Sequence, residues 1–256
     1  MFDRSINVYW APSGGRFPDK KHIVNQSNLT WFEPEPVINS LIKNRNKYVE
    51  YFKCPAFLDY YKNTFLIRCP FDLKISIEKI DGKRYIHTHN YDKEFYNNFI
   101  REDIVSDDSN FFTFSIANSY VFYSDDSVII EQIPATLSYH ITETLQNLCL
   151  IPGKYDIGKW IRPLESMYEV IDDSKEIILK RGDPLYYFRL NTEKKINLIR
   201  TEYNDTIVDM VQSCTSRKVF SKNSSMQENY DSAKSLLHLY RKKLFPSKKC
   251  PFGFKK

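Results

Sequence analysis

Glu176-Ile177-Ile178-Leu179-Lys180-Arg181-Gly182-Asp183-Pro184-Leu185-Tyr186-Tyr187-Phe188-Arg189-Leu190 is the stretch on which the fold turns. β-Branched and aromatic residues crowd both ends of it, and such side chains pack well on a pleated surface. Gly182-Asp183-Pro184 between them is turn chemistry: glycine reaches φ above zero, aspartate bonds its own backbone and proline presets φ. The stretch therefore predicts two strands joined by a tight turn. Just upstream, Pro152-Gly153 and Gly158 supply two more breaks around Tyr155 and Trp160, so that three of the seven glycines fall within residues 150–190. Short strands separated by turns at this density place residues 150–190 in the middle of a β-sandwich.

Working outward, the same signature recurs. Residues 73–80 alternate apolar and polar, Asp81-Gly82 is a two-residue hairpin signal, and residues 83–89 return. Residues 7–11, 64–68, 111–117, 120–123 and 128–133 read as further strands, as do 160–170, 177–180, 185–190 and 196–200, while Cys54-Pro55-Ala56-Phe57 reads as a break. Proline and acids ahead of Val37, Leu41 and Ile42 predict an N-terminal helix near residues 35–47. Ser225-Met226-Gln227-Glu228 has the form of a capping box. Met226, Tyr230, Ala233, Leu237, Tyr240 and Leu244 follow at helical spacing, which predicts a C-terminal helix over residues 226–244. The expected fold is mainly β with flanking helices: one antiparallel β-sandwich domain over residues 1–240, of jelly-roll or cupin-like type, then a basic tail over residues 245–256.

Composition agrees with a packed β protein. Aromatics make up 15 % of the 256 residues, with 18 Tyr and 18 Phe. No apolar run reaches the roughly 20 residues of a membrane span, and Met1-Phe2-Asp3-Arg4 lacks the layout of a signal peptide, so a cytoplasmic protein is expected. Cys54, Cys69, Cys149, Cys214 and Cys250 are widely spaced and odd in number, which points to free thiols instead of a disulfide framework. The net charge of +5 is polarised: Arg241, Lys242, Lys243, Lys248, Lys249, Lys255 and Lys256 stand at the C-terminal end with no acid among them.

Three constellations bear on function. His87 and His89, two apart, point to one face of a strand, where both imidazoles can meet one divalent ion. With Glu94 and His140 they form an N3O set that resembles the metal motif of cupins, although the glycine of the second cupin motif is missing before His140. The plainer reading is an exposed strand that binds nothing, and no cofactor is expected. Trp160, Arg162 and Asp183 form the second group. A guanidinium beside an aromatic plane recognises phosphates or bases, whereas an ion-pair network of Asp156, Arg162 and Asp183 would be scaffold only. Third, Arg241, Lys242, Lys243, Lys248 and Lys249 lie among Tyr240, Phe245, Phe252 and Phe254: cations for phosphates and rings for bases. A solvated terminus is the alternative. No Ser-His-Asp, Cys-His or paired-carboxylate pattern stands out.

A wider resemblance rests on Trp31 with Glu33-Pro34-Glu35-Pro36, on Cys54-Pro55-Ala56-Phe57 with Lys62-Asn63-Thr64, on Asp156-Ile157-Gly158-Lys159-Trp160 with Arg162-Pro163, and on Gly182-Asp183-Pro184-Leu185-Tyr186. Together they resemble a protein family of tailed bacteriophages, especially phages of marine bacteria. The resemblance implies an origin and no reaction. The expectation is a phage accessory protein of the host cytoplasm, without enzymatic activity, that binds a host or phage macromolecule such as nucleic acid. A cupin-like metal-dependent enzyme and a virion structural component are the alternatives.

Overall fold

A computed structural model describes residues 5–13, 32–43, 50–90, 97, 99–102, 112–117, 120–138, 143–220 and 224–245. The chain is mainly β, with several antiparallel sheets and, among the described residues, five α-helices and no closed barrel.

Strand β1 (Ile6–Pro12) lies between β8 (Tyr120–Ser124), antiparallel to it, and β15 (Ile196–Arg200), parallel to it, with Ile6 opposite Ile196. The largest sheet runs in the order β11 (Lys154–Asp156), β9 (Ile129–Pro134), β14 (Pro184–Asn191), β3 (Thr64–Arg68), β2 (Glu35–Pro36). A third sheet orders β10 (Leu148–Ile151), β12 (Ser166–Val170), β7 (Phe112–Ile116) and β6 (Ile100–Glu102); a fourth joins β13 (Ile177–Leu179) to the hairpin of β4 (Leu73–Ile80) and β5 (Lys83–Thr88).

The hairpin follows from its turn. Asp81 and Gly82 have φ of 51° and 79°, the left-handed pair whose twist matches that of the flanking strands. Leu73 and Ile75 are buried, but Ile80 is half exposed, so the tip of the hairpin leaves the core. β14 shows why residues 185–190 carry apolar side chains without alternation. Tyr186, Phe188 and Leu190 enter the main core, and Tyr187 on the other face packs with Val37, Leu41, Tyr61, Leu66 and Ala135 in a second cluster. A strand covered on both faces needs no polar side. A bulge after Pro184 turns Leu185 towards the main core as well.

The helices depart from the sequence expectations in specific ways. The helix expected near residues 35–47 begins only at Val37, as α1 (Val37–Lys43), while Glu35 and Pro36 pair with β3. A residue before proline is pushed to extended backbone, so Glu35 cannot begin a helix. Residues 44–47 lie outside the described residues. The expected break at Cys54 instead opens α2 (Pro55–Tyr60), with proline in the first turn, where its missing N–H costs nothing. Of the run 160–170 only residues 166–170 form a strand; before it, Pro163 makes a lone bridge to Val121. Beyond α3 (Glu143–Gln146) the chain adds α4 (Asp205–Phe220), a helix outside the sequence expectations that the apolar spacing of Ile207, Val208, Met210, Val211 and Cys214 accounts for. The C-terminal helix α5 (Met226–Leu244) has the expected bounds and a complete capping box at Ser225 and Glu228. α4 packs against α5, and Ala233 and Leu237 of α5 join the same core as the sheets.

Candidate functional site

The candidate residues do not converge. His87 and His89 stand at the exposed end of β5 with ring centroids 4.8 Å apart. His89 Nε2 lies 3.0 Å from Ser76 Oγ and 3.9 Å from Glu176, so it has protein partners already. Glu94 and His140 lie outside the described residues, and among the described residues no three metal-ligating side chains cluster.

Trp160 is buried in the core. Arg162 beside it is half-buried: its Nε donates to the Pro163 carbonyl at 3.3 Å and its guanidinium sits 5.8 Å from the Tyr155 ring centroid. The two share the wall of a small cavity of about 150 Å³ with Lys154, Gln132 and Glu165. Asp183 is elsewhere. It closes its own turn, accepting from the Lys180 N–H at 2.8 Å and returning a bond to the Lys180 carbonyl at 2.9 Å. Asp156, Arg162 and Asp183 therefore form no network.

Asp156 is instead the centre of another arrangement. β11 ends on it, and the turn that follows folds back on the carboxylate. Oδ1 accepts from the backbone N–H of Val128 at 3.2 Å and of Gly158 at 2.9 Å; Oδ2 accepts from the Ser127 hydroxyl and from Lys159 Nζ at 2.9 Å. A buried carboxylate needs such a set of donors, because an unpaired one would cost several kcal/mol of hydration. The same hydrogen bond holds the Lys159 ammonium above its usual range.

Helix α5 docks on this turn at two points. The Tyr230 hydroxyl accepts from the Asp156 N–H at 2.8 Å, and the Arg241 guanidinium donates to the Gly158 carbonyl. Between these anchors lies a cleft of about 870 Å³. One wall is the turn, with Asp125, Ser127, Gly158 and Lys159. The other is a stripe of α5: Gln227, Tyr230, Asp231, Lys234, Leu237, His238 and Arg241, at the spacing that shares one helix face. The stripe holds one acid, Asp231, which accepts from Gln227 Nε2 at 3.0 Å, and Lys234 stands one turn beyond it. Lys234 and His238 are exposed, and among the described residues no carboxylate pairs with Lys234 or Arg241.

Comparison with protein families, with curated proteins and with solved structures finds no match to this chain.

Of the cleft residues only Arg241 is among the functional candidates expected from the sequence. The periodicity that reveals α5 concerns its buried face, and the polar positions between read as solvated. Their signal is present as Lys234, His238 and Arg241 four and three residues apart, but a stripe of polar side chains does not announce what faces it. Past Arg241 the same helix ends in exposed Lys242 and Lys243, for which no acidic partner exists among the described residues; Lys248 and Lys249 lie outside them.

Proposed function

We propose that this is a non-enzymatic binding protein that contacts nucleic acid through the C-terminal end of α5 and the basic residues that follow it. The observation that carries the reading is the last turn of α5, where Lys242 and Lys243 are exposed without acidic partners, among the described residues, next to Arg241. Cations near a helix C-terminus also favour the helix dipole, but that effect needs only the last turn. The further lysines at 248, 249, 255 and 256 continue the charge beyond it. A surface of this kind binds phosphates by releasing counterions, so its affinity is steeply salt-dependent. On this reading the partner is a host or phage nucleic acid met in the cytoplasm, and a jelly-roll arrangement of the sheets serves as the rigid carrier.

Fluorescence anisotropy with labelled single- and double-stranded DNA over a salt series tests it. Binding should weaken steadily with salt, and Lys242→Ala with Lys243→Ala should reduce the log–log slope by about two, roughly one for each phosphate that a lysine no longer neutralises. Removing residues 246–256 should weaken binding further. Binding that is absent at low salt, or that ignores both changes, overturns the proposal.

A further inference from the structure

The outer edge of β15 is a second interaction surface, one that does not rest on the nucleic-acid reading. We propose that β15 pairs antiparallel with β15 of a second copy of this chain, across a two-fold axis through Leu198, and so joins two three-stranded sheets into one of six strands.

The edge is open. β15 ends its sheet, with β1 as its one hydrogen-bonded neighbour among the described residues. The Ile6 N–H donates to the Lys195 carbonyl at 2.9 Å and the Thr201 N–H to the Trp10 carbonyl at 2.8 Å. The parallel register between these two bonds is unbroken, so Asn197 and Ile199 turn their backbone groups towards β1. Ile196, Leu198 and Arg200 turn theirs away, where no described residue meets them. Burial agrees: Ile6 and Val8 of β1 are enclosed, whereas Ile196 and Leu198 opposite them are half-buried. On the other face Phe245 packs on Tyr9 and Tyr123, of β1 and β8, and Ile199 of β15 stays 36 % exposed. Proteins blunt such an edge with a proline, a bulge or a charge in mid-strand. Ile196-Asn197-Leu198-Ile199 carries none of these.

The strand itself selects the occupant and the register. A second copy presents the same three outward residues, and the antiparallel register centred on Leu198 pairs all of them with one another: Leu198 with Leu198, and Ile196 with Arg200 on either side, a closed two-fold contact. Continued past the strand ends, this register carries Lys194 of each copy towards Glu202 of the other. Both residues are exposed, and neither has an ion pair among the described residues. Other centres lose this match. A register centred on Asn197 sets Lys194 against Arg200, one centred on Arg200 sets that cation against itself, and one centred on Ile199 leaves Lys194 opposite Asn204; like charges directly opposite are destabilising. A five-residue edge buries less than the roughly 1,200–2,000 Å² of stable complexes, so the dimer forms in a concentration-dependent way.

Sedimentation velocity of the full chain at low salt, from about 10 μM to about 1 mM, tests the assignment and should show monomer passing to dimer. Glu202→Lys should raise the dissociation constant about fivefold or more, because two ion pairs become two like-charge contacts. Adding Lys194→Glu to the same chain should bring it back. Leu198→Pro should abolish the dimer: the N–H it removes points away from β1, so the ladder within the chain stays whole. An unchanged circular dichroism spectrum shows that this variant folds; should it not, the charge reversal and its rescue decide. Amide exchange reads the register directly. The N–H groups of Ile196, Leu198 and Arg200 should exchange fast at the low concentration and slowly at the high one, while those of Asn197 and Ile199 are protected at both. Lys242→Ala with Lys243→Ala should leave the dimer intact, which separates this contact from nucleic-acid binding. Three results overturn the proposal: a monomer at every concentration, a dimer that Glu202→Lys or folded Leu198→Pro leaves untouched, or Ile196, Leu198 and Arg200 amides already protected at the lowest concentration, which would mean that another segment of the same chain covers the edge.

Discussion

The hydroxyl of Tyr230 accepts a hydrogen bond from the backbone N–H of Asp156 at 2.8 Å, joining the C-terminal helix to the edge strand of the largest sheet. The bond ties together segments 74 residues apart, and it lies next to the carboxylate on which the neighbouring turn is wound. Two of the contacts that dock α5, this one and the Arg241 bond to the Gly158 carbonyl, therefore also bound the cleft.

Tyr230→Phe should destabilise the protein by about 1–3 kcal/mol, the cost of leaving a buried N–H without its partner. Phenylalanine keeps the ring and its packing, so the loss is that of the hydroxyl. Urea unfolding followed by fluorescence measures it, and an unchanged midpoint would show that the N–H finds water instead.

Gly158 is needed for space. A Cβ there would collide with the Asp126 carbonyl, and that neighbour is backbone, which cannot step aside like the end of a flexible side chain. Gly158→Ala should cost about 1–3 kcal/mol by overpacking and should loosen the Arg241 bond to the Gly158 carbonyl. Thermal unfolding of Gly158→Ala beside Arg241→Ala and the double variant reads both effects, the second as a smaller loss for Arg241→Ala in the Gly158→Ala background; a variant as stable as the parent would mean that the turn shifts freely.

The capping box makes the helix sensitive to acid. Bonds from the Ser225 N–H and hydroxyl hold the Glu228 carboxyl below its usual range. A folded-state pKa that is lowered contributes stability above the unfolded pKa and loses it as pH falls through the folded one. The advantage of the native protein over Glu228→Ala should therefore be full above about pH 5 and shrink as pH falls below about 4. Unfolding at a series of pH values checks the sign. An advantage that grows towards low pH would contradict it.

Thiol reactivity should divide along burial. Cys69 is enclosed and burial pushes its thiol up to about 12, and Cys214 is also buried, whereas Cys54 and Cys149 are exposed. In a Cys250→Ser background, a thiol-exchange dye should modify Cys54 and Cys149 promptly and the other two only on unfolding. Rapid labelling of Cys69 in the native protein would show that its surroundings open.

Much of the architecture was legible residue by residue. Asp81-Gly82 dictated a left-handed two-residue turn, and with it the register of β4 and β5. Ser225 and Glu228 marked the start of α5, and its apolar repeat marked the end. Other elements were hidden by rules that compete locally. Pro55 looked like an interruption because proline breaks strands and starts helices alike. Residues 148–156 hold two short strands, β10 and β11, and the Pro152-Gly153 pair between them dominates any local reading. The candidate site was scarcely legible: Trp160 and Arg162 stand out by residue type, yet Trp160 is in the core and Arg162 borders a small cavity away from α5's cationic end.

The sequence by itself determined turns, caps and the periodicity of each face, since these depend on dihedral preferences and on neighbours two to four positions away. Only the tertiary structure decided that β1 pairs with β15 across the chain, that Tyr187 faces a second apolar cluster, and that Asp156 gathers the turn against which α5 rests. The physical reason is that pairing and docking are set by which surfaces bury together at the lowest cost in unsatisfied polar groups. A balance of that kind exists only once all the surfaces are in place, and no local window of residues 150–190 contains the helix that completes the cleft.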